Sequence, residues 1–193
     1  KNSRKGSKFL EIPIDIQGKD YIYSSKSFKK PKPNKFKIKN NQINYLKKLF
    51  LKSKRPVILI GGGINREVSR NLSNRIKKTS IPFMTTWNGT DRIGSSHPNY
   101  FGRPNTWGQR RANIIIQQSD LVLALGTRLG LQQTGFNWQE FIPKGKIIHV
   151  DIDQEEIKKG HPRIFYGLQT DANLLLNNLL KHKLGSYKNW FDY

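Results

Sequence analysis

The sequence predicts an α/β protein: a three-layer, doubly wound sheet of about five or six parallel strands with helices on both faces. Three observations carry this expectation. Apolar runs such as PVILI (56–60) and DLVLALG (120–126) are continuous rather than alternating, as in a strand covered on both faces. Between these runs lie segments whose apolar residues recur every three or four positions, the period of a helix. Several runs end in Gly, Thr or Asp, the punctuation of a turn into the next element.

Taken in order, KFLEIPIDI (8–16) reads as a strand. Residues 17–39 hold Pro31, Pro33 and repeated Lys, a composition that keeps a linker extended. From Asn40 the pattern changes. Residues 40–54 place Ile43, Leu46 and Phe50 on one helical stripe, and residues 65–80 do the same with Val68, Leu72 and Ile76. Residues 81–86, IPFMTT, form a strand between the second helix and a loop (87–108) rich in Gly, Asn and Pro. Residues 109–119 form a helix with a fully apolar centre, followed by the strand at 120–126. Further strands fall at 146–153 and 163–168. Residues 171–183 close the series with a helix capped by Asp171. The expected domains are therefore a tail of a preceding domain (1–16), a basic linker (17–39), a central nucleotide-binding-like α/β domain (40–183) and the start of a second linker (184–193).

Bulk composition removes several function classes. There is no Cys, hence no disulfide framework or thiolate metal site, and the four His show no metal-ligand spacing. No apolar run approaches the roughly 18 residues of a membrane span, so the expectation is a soluble, cytoplasmic chain without a membrane partner. The balance of 35 Lys+Arg against 13 Asp+Glu, net +22, suits an anionic partner. No zinc finger, GXXG clamp or aromatic RNP strand accompanies it. A nucleic-acid partner is therefore the lesser reading beside a compositional bias on solvated faces.

In a parallel sheet, ligands sit beyond the carboxyl ends of the strands. There the sequence places Gly61, Gly62 and Gly63, then Thr86 and Trp87, then Arg128, then Asp151 and Ile152, and finally Asp171. Glycines let a backbone approach a pyrophosphate, an arginine offers a donor fork, Asp151 or Asp153 can accept from a ribose, and Trp87 or Trp107 can stack on an aromatic ring. Each also has a plain structural reading. A triple glycine can be a sharp bend, Arg128 an ion-pairing surface residue, Asp151 a strand end and Asp171 a helix cap. Trp107 can be a packing residue, and His149, inside an apolar strand, a core histidine. No Walker loop, GxGxxG in its strand–helix setting or nucleophile elbow is present, and neither catalytic nor metal-binding residues emerge.

The stretches RPVILIGGGI, IPFMTTWNGTDRIGSSHPNYFGRPNTWGQRRANIIIQQSDLVLALGTRLGLQQTG, FIPKGKIIHVDIDQEEI and TDANLLLNNLL resemble, in order, the middle domain of thiamine-diphosphate-dependent enzymes of the acetolactate synthase-like group. KFLEIPIDIQ is similar to the last strand of that family's first domain. The resemblance implies a domain of a 2-oxo acid decarboxylase/carboligase, a lyase or transferase, that is not catalytic alone. Thiamine diphosphate and Mg2+ would be bound in the full-length enzyme by the other domains, which carry the catalytic Glu and a GDG...N motif absent here. It implies the enzyme's own N- and C-terminal domains as partners and a homo-oligomer, dimer or tetramer. In relatives the middle domain holds FAD, an ADP-like nucleotide, or nothing and acts as a scaffold.

By that resemblance Gly61, Gly62 and Gly63 lie near nucleotide phosphates, Thr86 and Trp87 follow the second strand, and Thr106 and Trp107 flank a flavin ring. Arg128 meets the phosphates, while Asp151–Ile152 and Asp171–Ala172 are acidic–apolar pairs, the first of them near the adenosine. FAD-binding synthases carry FDDR after the arginine; here Gly130 and Gln132 replace charged residues. Two unrelated readings stand beside this one: a basic nucleic-acid-binding protein and a stand-alone NAD-dependent α/β enzyme.

Overall fold

The computed structural model describes residues 9–20 and 36–191. The chain divides into a short unit, Lys1–Lys35, and a large one, Phe36–Tyr193. In the short unit the described residues hold one helical turn, α1 (Ile14–Gln17), with no buried side chain. This corrects the strand expected at 8–16: residues 9–13 make no strand pairing among the described residues, and the chain then coils. A strand needs a neighbouring edge to satisfy its N–H and C=O groups. The described chain offers none here, whereas the bonds of α1 are local. Residue 8 and most of the expected linker lie outside the described residues.

The large unit is a five-stranded, all-parallel sheet in the order β2-β1-β3-β4-β5. Its strands are β1 (Pro56–Ile60), β2 (Phe83–Thr85), β3 (Leu121–Leu125), β4 (Lys146–Asp151) and β5 (Tyr166–Gln169). The helices are α2 (Asn40–Lys52), α3 (Arg66–Lys77), α4 (Arg110–Gln118), α5 (Leu131–Thr134), α6 (Gln154–Lys158), α7 (Ala172–Leu179) and α8 (Lys188–Phe191). β1 and β3 are buried along their whole length, as their unbroken apolar runs require. α2 buries Ile43, Leu46 and Phe50.

From β1 the chain steps outward through α3 to β2, then returns past β1 to β3 and continues to β5. Right-handed crossovers place α3 on one face and α4 and α6 on the other. α7 packs against α2 and α3 and completes the first face. The topological switch point, where ligands bind in such folds, is the gap between the ends of β1 and β3.

Several boundaries differ from the sequence expectation for local reasons. β2 begins after Pro82, which has no N–H to donate. Its outer edge is covered by the loop, with Phe83 N–H donating to Asn99 O and Phe101 N–H to Phe83 O. β4 stops at Asp151 because Asp153 caps α6, its carboxylate accepting from Glu155 N–H at 3.1 Å. α4 buries Ala112 and Ile116 but exposes Ile114, so its centre is apolar on one side of solvent as well as in the core. Beyond Lys183, where the sequence places the start of a linker, Leu184, Tyr187 and Trp190 are buried, and Trp190 Nε1 donates to Pro56 O at 3.1 Å. The packed unit thus runs on through α8.

Candidate functional site at the carboxyl edge

The strand register aligns Thr85, Ile60, Leu125, Val150 and Leu168 across the sheet. The next residues in each strand, Thr86, Gly61, Gly126, Asp151 and Gln169, therefore form one edge. The glycine turn and the Gly126–Arg128 turn meet at the switch point between β1 and β3.

They meet in direct backbone contact. Gly61 N–H donates to Leu125 O and Gly63 N–H to Gly126 O, both at 2.9 Å. A Cβ on Gly61 would lie 2.6 Å from Thr127 Cβ and 2.8 Å from the Gly126 carbonyl carbon; one on Gly63 would lie 2.8 Å from Gly126 Cα. Gly126 has φ +57, a left-handed conformation that glycine takes without penalty. The carbonyls of the triplet are also engaged. Gly61 O accepts from Ile64 N–H, Gly62 O from Arg92 Nη2 at 3.3 Å, and Gly63 O from Asn173 Nδ2 at 3.1 Å. Five of the six backbone polar groups of Gly61–Gly63 thus have protein partners, and the N–H of Gly62 alone lies outside these bonds.

Asp171 reaches this turn through a neighbour. Its carboxylate caps α7, accepting from Asn173 and Leu174 N–H, and also from Asn173 Nδ2 at 3.0 Å. Asn173 Oδ1 in turn accepts from Asn65 N–H at 2.7 Å, at the start of α3. Ala172, the first residue of α7, is buried. Asp151 is buried, with Oδ1 accepting from Asp153 N–H at 2.9 Å, and Ile152 O accepts from Gln169 Nε2 at 3.3 Å.

Arg128 shares the edge but leans toward α6. Its Nε donates to Glu156 Oε1 at 2.7 Å, and its side chain is 73% exposed. Glu156, nearly buried, also accepts from Lys159 Nζ at 3.1 Å, and that amine donates to Arg128 O.

The second cluster is aromatic. Trp87 and Trp107 stack with ring centroids 6.0 Å apart and planes at 28°. Thr86 N–H donates to Ile60 O at 2.9 Å, which ties the turn bearing Trp87 to β1. Thr106 fixes the loop bearing Trp107, its N–H and Oγ1 both donating to Gln132 O at 3.0 Å. A planar ligand between two indoles needs two van der Waals spacings, roughly 7 Å; the pair is closer than that.

Three contributors carry no sequence signal. Arg92, almost buried, donates from Nε to Ile64 O besides its bond to Gly62 O. Nothing marks a lone loop arginine for this. Asn173 and Glu156 act across long separations, which no local pattern encodes. Asp91 lies between Arg66 and Arg92; its hydrogen bond from Arg66 holds its carboxyl below the usual carboxylate value. His149 is the core residue expected. Nε2 lies 2.7 Å from Thr127 O and so carries the proton, whereas buried Nδ1 has no hydrogen-bond partner among the described residues. Burial lowers its pKa from 6.5. Among the described residues no group of three His, Cys, Asp or Glu is placed to hold a metal, and no helix is long and apolar enough to cross a membrane.

The sequence profile of the family described as thiamine pyrophosphate enzyme, central domain, matches residues 43–179. Among curated proteins, the chain is 35% identical over 162 residues to an acetolactate synthase of Mycobacterium bovis, covering 82% of this chain and 26% of that protein. It is 30% identical over 188 residues to a probable acetolactate synthase large subunit of Methanococcus aeolicus, covering 92% and 30%. To the acetolactate synthase isozyme 1 large subunit of Escherichia coli K12 it is 28% identical over 180 residues, covering 93% and 31%. The chain therefore spans less than a third of the length of each of these relatives.

Proposed function

This chain belongs to the thiamine pyrophosphate enzyme family, as its central domain, and from that premise we propose that it is the structural middle of an acetolactate synthase-like 2-oxo acid decarboxylase/carboligase whose nucleotide-type edge is closed on itself. Thiamine diphosphate supplies the carbanion-stabilising chemistry when bound. It and Mg2+ belong to the other domains of the full-length enzyme, since this sequence contains neither the catalytic Glu setting nor a GDG...N motif. The role of the present residues is to hold the sheet edge, and through it the domain, in a fixed shape.

The observation that carries the scaffold reading is the internal engagement of Gly61–Gly63. A phosphate cradle works by aiming several free N–H groups at one anion; here one of three is left. Neighbouring groups follow the same pattern. Asn173 takes the Asn65 N–H at the start of α3, Asp171 is occupied as a cap, and the two tryptophans leave no planar slot between them. The residues do not fit a flavin held at the glycine turn with its ring between Trp87 and Trp107. A second reading has one observation in its favour: the side chain of Arg128 is 73% exposed at this edge and Trp107 is 65% exposed. An ADP-like nucleotide lying across the outer face of Trp107 would use both.

The test is made on purified full-length enzyme. The expected result is 2-oxo acid decarboxylation that depends on added thiamine diphosphate and Mg2+, with no flavin or nucleotide released on denaturation. Decarboxylation without dependence on thiamine diphosphate would overturn the reaction class. Stoichiometric flavin would overturn the closed edge.

A further inference from the structure

One ionisable residue stands inside the sheet with half of its polar capacity unused. His149 is fully buried in β4. Its register partners are Ala124 on β3 and Gly167 on β5, two small residues that leave room for an imidazole in that row. Side chains of one row share a face of the sheet. α6 covers that face: a Cβ on Gly167 would run into Ile157 Cγ2. The ring's Nε2 is engaged by Thr127 O at 2.7 Å, whereas Nδ1 is buried without a hydrogen-bond partner among the described residues. The ring therefore fits as a neutral group. A second proton would sit on Nδ1 with no acceptor beside it, and a buried charge without a partner is costly.

The cover over this ring is weakly held. α6 is 5 residues long, and the residue it buries is a carboxylate, Glu156. Glu156 is fixed by Arg128 at 2.7 Å and Lys159 at 3.1 Å, the Arg128 side chain being largely in water. Lys159 Nζ also donates to Arg128 O, which ties α6 to the Arg128 turn. A segment with few buried apolar contacts lies at the low end of local stability. The charges that act on the ring come from β4, which supplies Asp151, and from α6 and its end, which supply Glu156 and Lys159. β3 and β5 place Ala124 and Gly167 beside it, the turn presents the Thr127 carbonyl, and α4 turns Ala112 and Ile116 inward on that face. Two carboxylates thus oppose one ammonium, yet burial outweighs them and holds the ring's pKa below 6.5.

We infer that α6 is an acid-released cover with His149 as its proton sensor: in mild acid the ring takes a second proton, α6 lifts to hydrate it, and the Arg128 turn is freed while α2 and α3 stay packed. Lifting lets Nδ1–H reach water, and Glu156 and Lys159 leave with the helix. The effect reaches the carboxyl edge because Thr127 and Arg128 follow Gly126, whose backbone meets Gly61 and Gly63. The proton comes from solvent and no covalent bond of the backbone changes, so the step reverses when the pH is raised. It depends neither on the reaction of the full-length enzyme nor on any occupant of that edge.

The experiment is amide hydrogen exchange by mass spectrometry on the full-length protein, between about pH 7.5 and about pH 4.5, with each rate divided by its intrinsic rate at that pH. A cover whose opening exposes a histidine of ordinary pKa 6.5 opens up to about tenfold more often at about pH 5.5 than at about pH 7.5. The expected result is a several-fold rise toward that ceiling in peptides covering residues 127–131 and 153–159, with none in α2 or α3. The rise should vanish in His149→Gln, which keeps a donor for Thr127 O but takes no proton. It should persist in His161→Gln, which removes the histidine bonded to Lys159 O at the end of α6. Exchange that follows the intrinsic rate throughout overturns the proposal, as does an equal rise in α2 and α3, the sign of global unfolding. A rise that survives in His149→Gln, or disappears in His161→Gln, also overturns it. Should His149→Gln fail to fold, the onset in the unaltered protein decides. A rise that begins near pH 6.5 supports the histidine, and one that begins only below about pH 5, where carboxylates take up protons, assigns the opening to Glu156 or Asp151 and overturns the proposal.

Discussion

Replacing Gly61 by Ala puts the reading of the glycine turn under direct load. The new Cβ would sit 2.6 Å from Thr127 Cβ and 2.8 Å from the Gly126 carbonyl carbon. Carbon atoms in contact need about 3.5–4.0 Å, so one turn must retreat by roughly 1 Å. Neither is free to do so. The retreat stretches the bonds from Gly61 N–H to Leu125 O and from Gly63 N–H to Gly126 O, in the buried centre of the sheet. Overpacking of this kind costs about 1–3 kcal/mol, and with backbone on both sides the upper end applies. For a chain of this size that lowers Tm by roughly 6–12 °C. Two companions grade the effect. In Gly62→Ala the Cβ meets Asn88 O at 3.0 Å, for an expected loss of about 1 kcal/mol. In Gly94→Ala nothing lies within 4 Å, and a change within about 1 kcal/mol of zero is expected. Urea and thermal unfolding of the three variants provide the measurement. If Gly61→Ala proves no less stable than Gly94→Ala, the close approach of the two turns is not what the triplet is for.

Glu156→Gln removes the carboxylate that Arg128 and Lys159 share; because Arg128 is largely in water, a loss of about 1–2 kcal/mol in urea unfolding is expected. Asp171→Ala leaves the first turn of α7 uncapped and frees Asn173, at an expected cost of about 1–2 kcal/mol in the same assay. His149 has a folded pKa below its ordinary 6.5, so the unfolded chain takes up the proton first as pH falls. Its contribution is therefore complete above 6.5 and is lost progressively below it; His149→Gln, which keeps a donor for Thr127 O, should flatten stability measured across that window. Tyr187, buried with its hydroxyl against Phe50 O and Leu184 O, has its pKa pushed up to about 12 from 10.0, first by burial and then by the Asp120 charge. Stability from the neutral phenol is present below 10.0 and lost as pH rises through about 12, and the tyrosinate absorbance of Tyr187 should appear only at that upper limit.

The fold was legible because its signals are local. Unbroken apolar runs at β1 and β3 and the stripes of α2 and α3 record burial in the residues themselves. The segment at 8–16 misled because its alternating apolar residues describe a strand only where a neighbouring edge exists, and α1 has none among the described residues. α8 was missed because Tyr187 and Trp190 are buried by contacts with Phe50 and Pro56, more than 130 positions away. Within the site, the positions of Gly61, Gly63, Arg128 and Asp151 followed from strand ends, since a parallel sheet brings those ends into line. Which group each one bonds did not follow. Asn173 bridging α7 to Gly63, and Arg92 holding the carbonyls of Gly62 and Ile64, are long-range choices that decide whether a phosphate finds free donors.

The internally bonded edge is tested most directly by the visible absorption spectrum of the freshly purified full-length enzyme, read together with chromatography of whatever it releases on denaturation. A scaffold edge gives no flavin absorption and no bound nucleotide, while decarboxylation still responds to thiamine diphosphate. One flavin per chain, released intact from the unaltered protein, would contradict it.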